Sequence, residues 1–347
     1  MATESTTCSL RGSLDGFGDG SLMPLLEVKD LRVQYRVYEG MLKVLNGVTI
    51  SLEKGEKVGI IGESACGKTT TVKTVMRLLA SNARIAGGEV KYAGEDVLKM
   101  SKKRLSDLRR KNMSMVFQDP SAALNPVFTI RQQLYDIIKF STDDHLSKQE
   151  THERAITYLK EAALPEPDRI LDSYPFQLSG GMKQRVNIAM ALVSANELLI
   201  ADEPGTSLDV TIEDQIMRLL KKIVEEKEIS VILITHALGT VKNFVDRIYV
   251  MYAGTIVEEG PTREVFNNPQ HPYTQMLIKA VPKLTGGGVP EGILGQVPSY
   301  LTPPPGCRFI TRCPYKMDVC ARVPQMYATG AEQRAACFLF DKEHSPR

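Results

Sequence analysis

The sequence predicts an α/β fold built on a largely parallel sheet, and three observations carry that prediction. Short apolar runs recur along the chain: KVGIIG (57 to 62), MSMVFQ (113 to 118), ELLIAD (197 to 202), SVILIT (230 to 235) and RIYVMY (247 to 252). Longer amphipathic segments separate them, as helices crossing between buried parallel strands would. The first run also leads straight through a glycine-containing turn into the helical pattern TVKTVMRLLA, so strand, loop and helix follow in order.

Composition sets the outer bounds. At 347 residues, 43% hydrophobic and 24% charged, the chain can bury one large core or two moderate ones. Its 43 basic and 41 acidic residues leave a formal charge of +2, which implies no nucleic-acid partner. No run of about 20 apolar residues could span a bilayer, and MATESTTCSLRGSLDGFGDGS lacks the apolar core of a secretory signal, so a cytoplasmic protein is expected. Residues 1–24, rich in Gly, Ser and Thr, read as a flexible arm without assigned function. A second composition shift near Pro282 opens KLTGGGVPEGILGQVPSYLTPPPG, which reads as a linker or extended strap. No internal repeat or sustained heptad pattern is present.

The stretch after the first strand, GESACGKTT, fits the phosphate-loop pattern G-x-x-x-x-G-K-[ST]. Its residues Gly62, Glu63, Ser64, Ala65, Cys66, Gly67, Lys68, Thr69 and Thr70 form the expected nucleotide-binding segment. The glycines let backbone N–H groups converge on phosphates, and the helix N-terminus adds positive potential. Lys68 is expected to reach the β- and γ-phosphates, and the Thr69 hydroxyl to ligate Mg²⁺.

Two carboxylates end the run ELLIADEP. Asp202 is predicted at the C-terminal end of a buried strand, the edge where open α/β sheets bind ligands, within reach of the magnesium shell. Glu203, one residue on, is suited to orient or deprotonate the water that attacks the γ-phosphate. His236 follows SVILIT and could sense the γ-phosphate, although a lone histidine at a strand end is more often structural.

LSGGMKQ, Leu178 to Gln184, changes the scale of the inference. Together with the phosphate loop, Gln118, the ADEP carboxylates and His236, in this order, it closely resembles the ATP-binding subunits of ABC transporters, over residues 25 to about 340. The resemblance implies a P-loop NTPase, ABC-type nucleotide-binding domain over 25–260, with a helical signature subdomain at about 120–190 and a small Cys-rich extension over 261–347. It implies that Ser179, Gly180 and Gly181, with Gln184, open a helix that grips the γ-phosphate of ATP held on an opposite subunit. It further implies catalytic roles for Gln118, Glu203 and His236, a magnesium shell of Thr69, Gln118 and Asp202, and a D-loop containing Ser207 and Asp209. Tyr35, with Tyr38 as competitor, resembles the aromatic that stacks on adenine.

FQDPSAALNPVFTI, HPYTQMLIKAVP and the four-cysteine tail look like the ATPases of oligopeptide, dipeptide and nickel importers. That subfamily implies a homologous second ATPase, two membrane-spanning permease subunits and an extracytoplasmic solute-binding protein, with the chain at the cytoplasmic face of the membrane. Three departures stand out: Ala65 where the family usually has Gly, EPGTSLD for EPTTALD, and Ala237 for the Asp after the histidine. With the other site residues intact, a competent ATPase is expected. One rival is a soluble ABC-type ATPase of DNA repair or translation, which usually carries two cassettes, coiled-coil insertions or basic additions; this chain shows none of these. Another is a redox sensor.

Cys307, Cys313, Cys320 and Cys337 are spaced C-x5-C-x6-C-x16-C, without the C-x2-C pairs of structural zinc sites. Spacing leaves zinc, an iron–sulfur cluster and free thiols open. The resemblance to cluster-bearing peptide-importer ATPases favours a [4Fe–4S] cluster.

Overall fold

A computed structural model describes residues 23–206, 208–280 and 292–343 and contains two sheets. The described strands, in chain order, are β1 (Leu26–Val37), β2 (Gly40–Leu52), β3 (Lys57–Ile61), β4 (Ala83–Tyr92), β5 (Glu95–Asp96) and β6 (Met113–Val116). They continue with β7 (Leu198–Asp202), β8 (Ser230–Ile234), β9 (Arg247–Tyr252), β10 (Thr255–Pro261), β11 (Tyr327–Ala328) and β12 (Arg334–Ala335). The larger sheet has the order β11-β12-β10-β9-β3-β8-β7-β6, parallel from β9 to β6 and antiparallel beyond. Its five parallel strands are the five apolar runs of the sequence. β7 and β8 are buried at every residue, so each reads as an unbroken apolar run.

The smaller sheet, antiparallel in the order β2-β1-β4-β5, is the part of the fold that the apolar runs did not announce. Its strands bury one face only: Leu31 and Val33 of β1 lie in the core while Arg32 between them is exposed. That face packs with Val72 and Val75 of the helix Lys68–Val75 into one hydrophobic core. This helix is shorter than its sequence pattern. It stops at Met76, and Arg77 turns to a φ of 49°.

A separate apolar cluster holds the helices between β6 and β7 together. Leu134 and Ile138 of Ile130–Ser141 meet Leu159 of Lys148–Glu161 and Val186 of Gly180–Leu192. Two of these helices begin with reciprocal capping boxes, Thr129 with Gln132 and Ser147 with Glu150. Each box satisfies N–H groups that a helix start leaves without intrahelical acceptors.

The C-terminal region shares the core of the larger sheet. β12 pairs with β10, and the Phe309 ring lies 5.0 Å from that of Tyr252 and 5.5 Å from that of Tyr273. The segments 1–22 and 281–291, holding most of the expected arm and the start of the expected strap, lie outside the described residues.

The turn between β9 and β10 fixes this region against the phosphate loop. Gly254 N–H donates to Cys66 O at 2.8 Å and its carbonyl accepts from Asn46 N at 2.9 Å. Its φ is +80°, and an added Cβ would stand 1.8 Å from Val44 O. Gly254→Ala is therefore expected to lower unfolding stability by at least about 2 kcal/mol, read from denaturant titration, because it meets a left-handed backbone and a carbonyl that cannot move aside.

Candidate nucleotide site

β3 ends at the floor of a cleft of about 340 Å³ lined by Val44, Ser64, Ala65, Cys66, Gly67, Lys68, Thr69, Thr70, Gln118 and Glu203. The loop is closed by its own lysine: Lys68, 4% exposed, donates from Nζ to Gly62 O at 2.8 Å and Glu63 O at 3.0 Å. Gly62 is required by space, since its Cβ would lie 2.1 Å from Met251 O. Ala65, the departure noted in sequence, has a φ of 60°. A non-glycine residue there carries local strain of about 1–2 kcal/mol. Burial pushes the Cys66 thiol up, while the Lys68 ammonium pulls it back.

The acidic side of the cleft comes from β7. Thr69 Oγ1 donates to Asp202 Oδ1 at 3.0 Å, joining helix start to strand end. Burial holds the Asp202 carboxyl above the usual carboxylate range; the Thr69 bond lowers it and the Glu203 charge raises it again. Glu203 Oε2 accepts from Gln118 Nε2 at 3.0 Å and Thr206 Oγ1 at 3.0 Å, and lies 3.5 Å from His236 Nδ1. Its backbone has a φ of 46°, an unfavourable value for a residue with a Cβ, and its N–H is tied to Ile234 O. Three chain segments thus converge on one carboxylate oxygen.

The remaining sequence candidates are placed differently. Ser179 caps the helix Gly180–Leu192, its Oγ accepting from Met182 N at 3.3 Å. Ser179, Gly180 and Gly181 do not line the cleft. Gln184 faces inward, 1% exposed, and donates to Pro204 O at 2.6 Å, so it joins the signature helix to the turn after Asp202. Asp209 caps Val210–Lys227 through Ile212 N, while Ser207 lies outside the described residues. Tyr35 packs on the core of the smaller sheet, and Tyr38 is fully exposed at the β1–β2 turn. Neither lines the cleft. Gly205, the second departure, leaves room for Glu213, whose Cγ would be 2.3 Å from an added Cβ. At the third, Ala237 N donates to Thr235 Oγ1 at 2.9 Å.

The pattern described as "ABC transporter" matches residues 45–206, and "Oligopeptide/dipeptide transporter, C-terminal region" matches 257–320. The Bacillus subtilis dipeptide transport ATP-binding protein DppD is 41% identical over 326 residues, 92% of this chain and 97% of its own length. The chain belongs to the ABC transporter ATP-binding proteins, in the oligopeptide and dipeptide branch. It is thus an ATP-hydrolysing subunit of the ABC type. The Salmonella typhimurium oligopeptide transport ATP-binding protein OppD is 42% identical over 315 residues, 90% of this chain and 93% of that protein. Among solved structures, the dimeric post-hydrolysis state of the cassette MJ0796 bound to ADP and Pi superposes with a TM-score of 0.62 at 30% identity. It covers 69% of this chain and 99% of that one.

Sequence reasoning missed contacts that reach the loop from the C-terminal side. Tyr273, in the HPY motif that served only as a subfamily marker, accepts from Glu63 N at 2.9 Å through its hydroxyl. Tyr300 donates to Ala65 O at 2.8 Å. Arg312 forks onto the Glu63 carboxylate at 2.8 and 3.2 Å.

The cysteine quartet is gathered, but the arrangement of the described residues does not support the expected metal centre. Cys307 N donates to Cys320 O at 2.9 Å, and none of the described cysteines is in a disulfide. Burial pushes the Cys307 thiol up to about 12 and Cys337 to about 11, with neighbouring sulfurs adding to each rise. Four thiols suit a cluster in donor chemistry. Their placement does not: among the described residues, no group of three or more His, Cys, Asp or Glu is positioned to hold a metal ion.

Proposed function

We propose that this chain is one of two homologous ATPase subunits that power a peptide importer, peripheral to the cytoplasmic face of the membrane. The convergence of Gln118, Thr206 and His236 on Glu203, beside the Lys68 loop, carries this reading. The peptide assignment rests on relatives named for dipeptide and oligopeptide transport. Peripheral attachment accords with the described residues, where no helix is long and apolar enough to cross a membrane.

In this mechanism the loop N–H groups and Lys68 bind the phosphates of ATP. The hard oxygen donors of Thr69, Asp202 and Gln118 suit Mg²⁺, which would neutralise phosphate charge. Glu203 takes the proton of the attacking water or orients it, with Gln118 and His236 fixing its carboxylate. Ser179, Gly180 and Gly181 form a helix-terminus anion site for ATP on the second subunit, so that nucleotide joins the two. Two different ATPase subunits, two permeases and an extracytoplasmic binding protein complete the proposed assembly. The functional units are the cassette, 25–260, its helical part near 120–190, and the extension from 261.

The segment from Gln118 to Ile130 is proposed as the permease contact. It joins the Glu203 partner Gln118 to an exposed loop, with Val127 70% and Phe128 46% exposed. Photo-crosslinkers placed there should label permease loops in an assembled, transport-competent complex. Labelling of solvent alone would remove the assignment.

A [4Fe–4S] cluster on Cys307, Cys313, Cys320 and Cys337 is a separate proposal, supported by donor number and opposed by the placement described above. Anaerobic full-length protein with about four irons per chain and broad absorption near ~400 nm would carry it. Stoichiometric zinc, or four reactive thiols without metal, would end it.

A further inference from the structure

We propose that Arg312 is a positioning residue for the phosphate loop, acting from the C-terminal region through Glu63 to set ATP affinity. This rests on the reading of the loop as the ATP site. The Arg312 side chain is only 3% exposed, and its guanidinium donors all have partners. Nε donates to Leu294 O at 3.0 Å. Nη1 meets Glu63 Oε2 at 2.8 Å and Tyr252 Oη at 3.4 Å; Nη2 meets Glu63 Oε1 at 3.2 Å and Ile293 O at 2.8 Å. A planar fork saturated in this way fixes a direction as well as a charge, which an ammonium could not do.

The fork bears on nucleotide because of where Glu63 sits. Its carbonyl is one of the two backbone acceptors that position Lys68 Nζ, and its N–H is fixed by the Tyr273 hydroxyl. Two residues on, Ala65 holds its unfavourable φ of 60° with its carbonyl bound by the Tyr300 hydroxyl. The loop is therefore anchored at Glu63 and Ala65 by the segment that follows β10. Loosening an anchor lets the strained loop relax, misplacing Lys68 and the phosphate-binding N–H groups. Loss of Arg312 also leaves the Glu63 carboxylate uncompensated beside the site where a triphosphate must enter.

Equilibrium binding of radiolabelled Mg·ATP to the full-length chain, below its thermal transition, tests the proposal. Arg312→Gln should weaken binding about tenfold, and Arg312→Lys should recover only part of the loss. Adding Glu63→Gln to Arg312→Gln should recover only the share of the loss due to the uncompensated charge, and the deficit that remains, matched by Glu63→Gln alone, is that of the lost fork. Tyr300→Phe, which deletes one hydroxyl, should weaken binding about threefold and serves as the deciding variant if Arg312→Gln does not fold. Wild-type affinity in folded Arg312→Gln or in Tyr300→Phe overturns the proposal. Lys68→Ala runs in parallel. If it loses ATP while Arg312→Gln binds normally, only the positioning role falls; if Lys68→Ala also binds normally, the assignment of the ATP site falls with it.

Discussion

Glu203→Gln is expected to lower ATP hydrolysis at least about a hundredfold in the assembled transporter while leaving ATP binding near wild type. The amide keeps nearly the same volume and still offers an oxygen to Gln118 Nε2 and Thr206 Oγ1, so the convergent geometry survives. It cannot accept a proton from water as a carboxylate does. Bound ATP would then persist between two subunits, and light scattering should detect an ATP-dependent dimer of the isolated ATPases. Lys68→Ala should fail at an earlier step. It removes the buried ammonium held between Gly62 O and Glu63 O, and with it the group proposed to meet the phosphates. The first variant should bind and not turn over; the second should not bind. Wild-type turnover by Glu203→Gln would remove that residue from catalysis, provided both sites of the assembly carry the change.

How much of this was legible in sequence depended on whether a residue's partners are local. The parallel strands were readable because burial on both faces leaves an unbroken apolar run, as in SVILI. The smaller sheet was not, since one-sided burial makes β1 alternate Leu31, Arg32, Val33 in a pattern weaker than any continuous run. Within the site, Lys68 and Thr69 follow from a motif whose spacing is itself the geometry. The inward turn of Gln184 onto Pro204 could not be read from LSGGMKQ, because position on a helix face depends on what packs there. Arg312 lies 249 residues from Glu63 in sequence, and nothing local marks the pairing. The cysteines show the converse: their grouping was legible, but thiol count does not determine whether sulfur atoms close around an ion.

Glu258→Ala should be the most destabilising single change in the C-terminal region, at about 3–5 kcal/mol, because it strands buried donors on three sides. Glu258 is 0% exposed on β10 and accepts from Gln270 N at 2.8 Å, His271 N at 2.8 Å and Gln333 Nε2 at 2.7 Å. These bonds join the HPY turn to the strand pairing of β12. His271 is held in the same interior, and its Nδ1 accepts from Tyr273 N at 3.0 Å, which requires a ring without a proton there. Burial lowers its pKa from 6.5 to about 3. The unfolded chain takes up a proton below pH 6.5 that the folded chain refuses, so this contribution is complete above pH 6.5 and falls as pH drops, by about 1.4 kcal/mol per unit. Glu258 acts in the opposite sense: burial raises its pKa above 4.5, so its unfavourable contribution is greatest at high pH and is relieved as pH falls through the folded value. The acid loss set by His271 should therefore build up over the first pH unit below 6.5 and flatten as Glu258 takes up its proton. Denaturant unfolding of His271→Asn, which can still cap Tyr273 N but does not titrate, should start less stable at pH 7.5, because it gives up the ring packed 5.8 Å from Phe309. Its stability should then change little toward pH 5, where the two proteins converge. A variant that loses stability as steeply as wild type over that interval would place the acid sensitivity elsewhere, since no proton uptake at position 271 would remain to drive it.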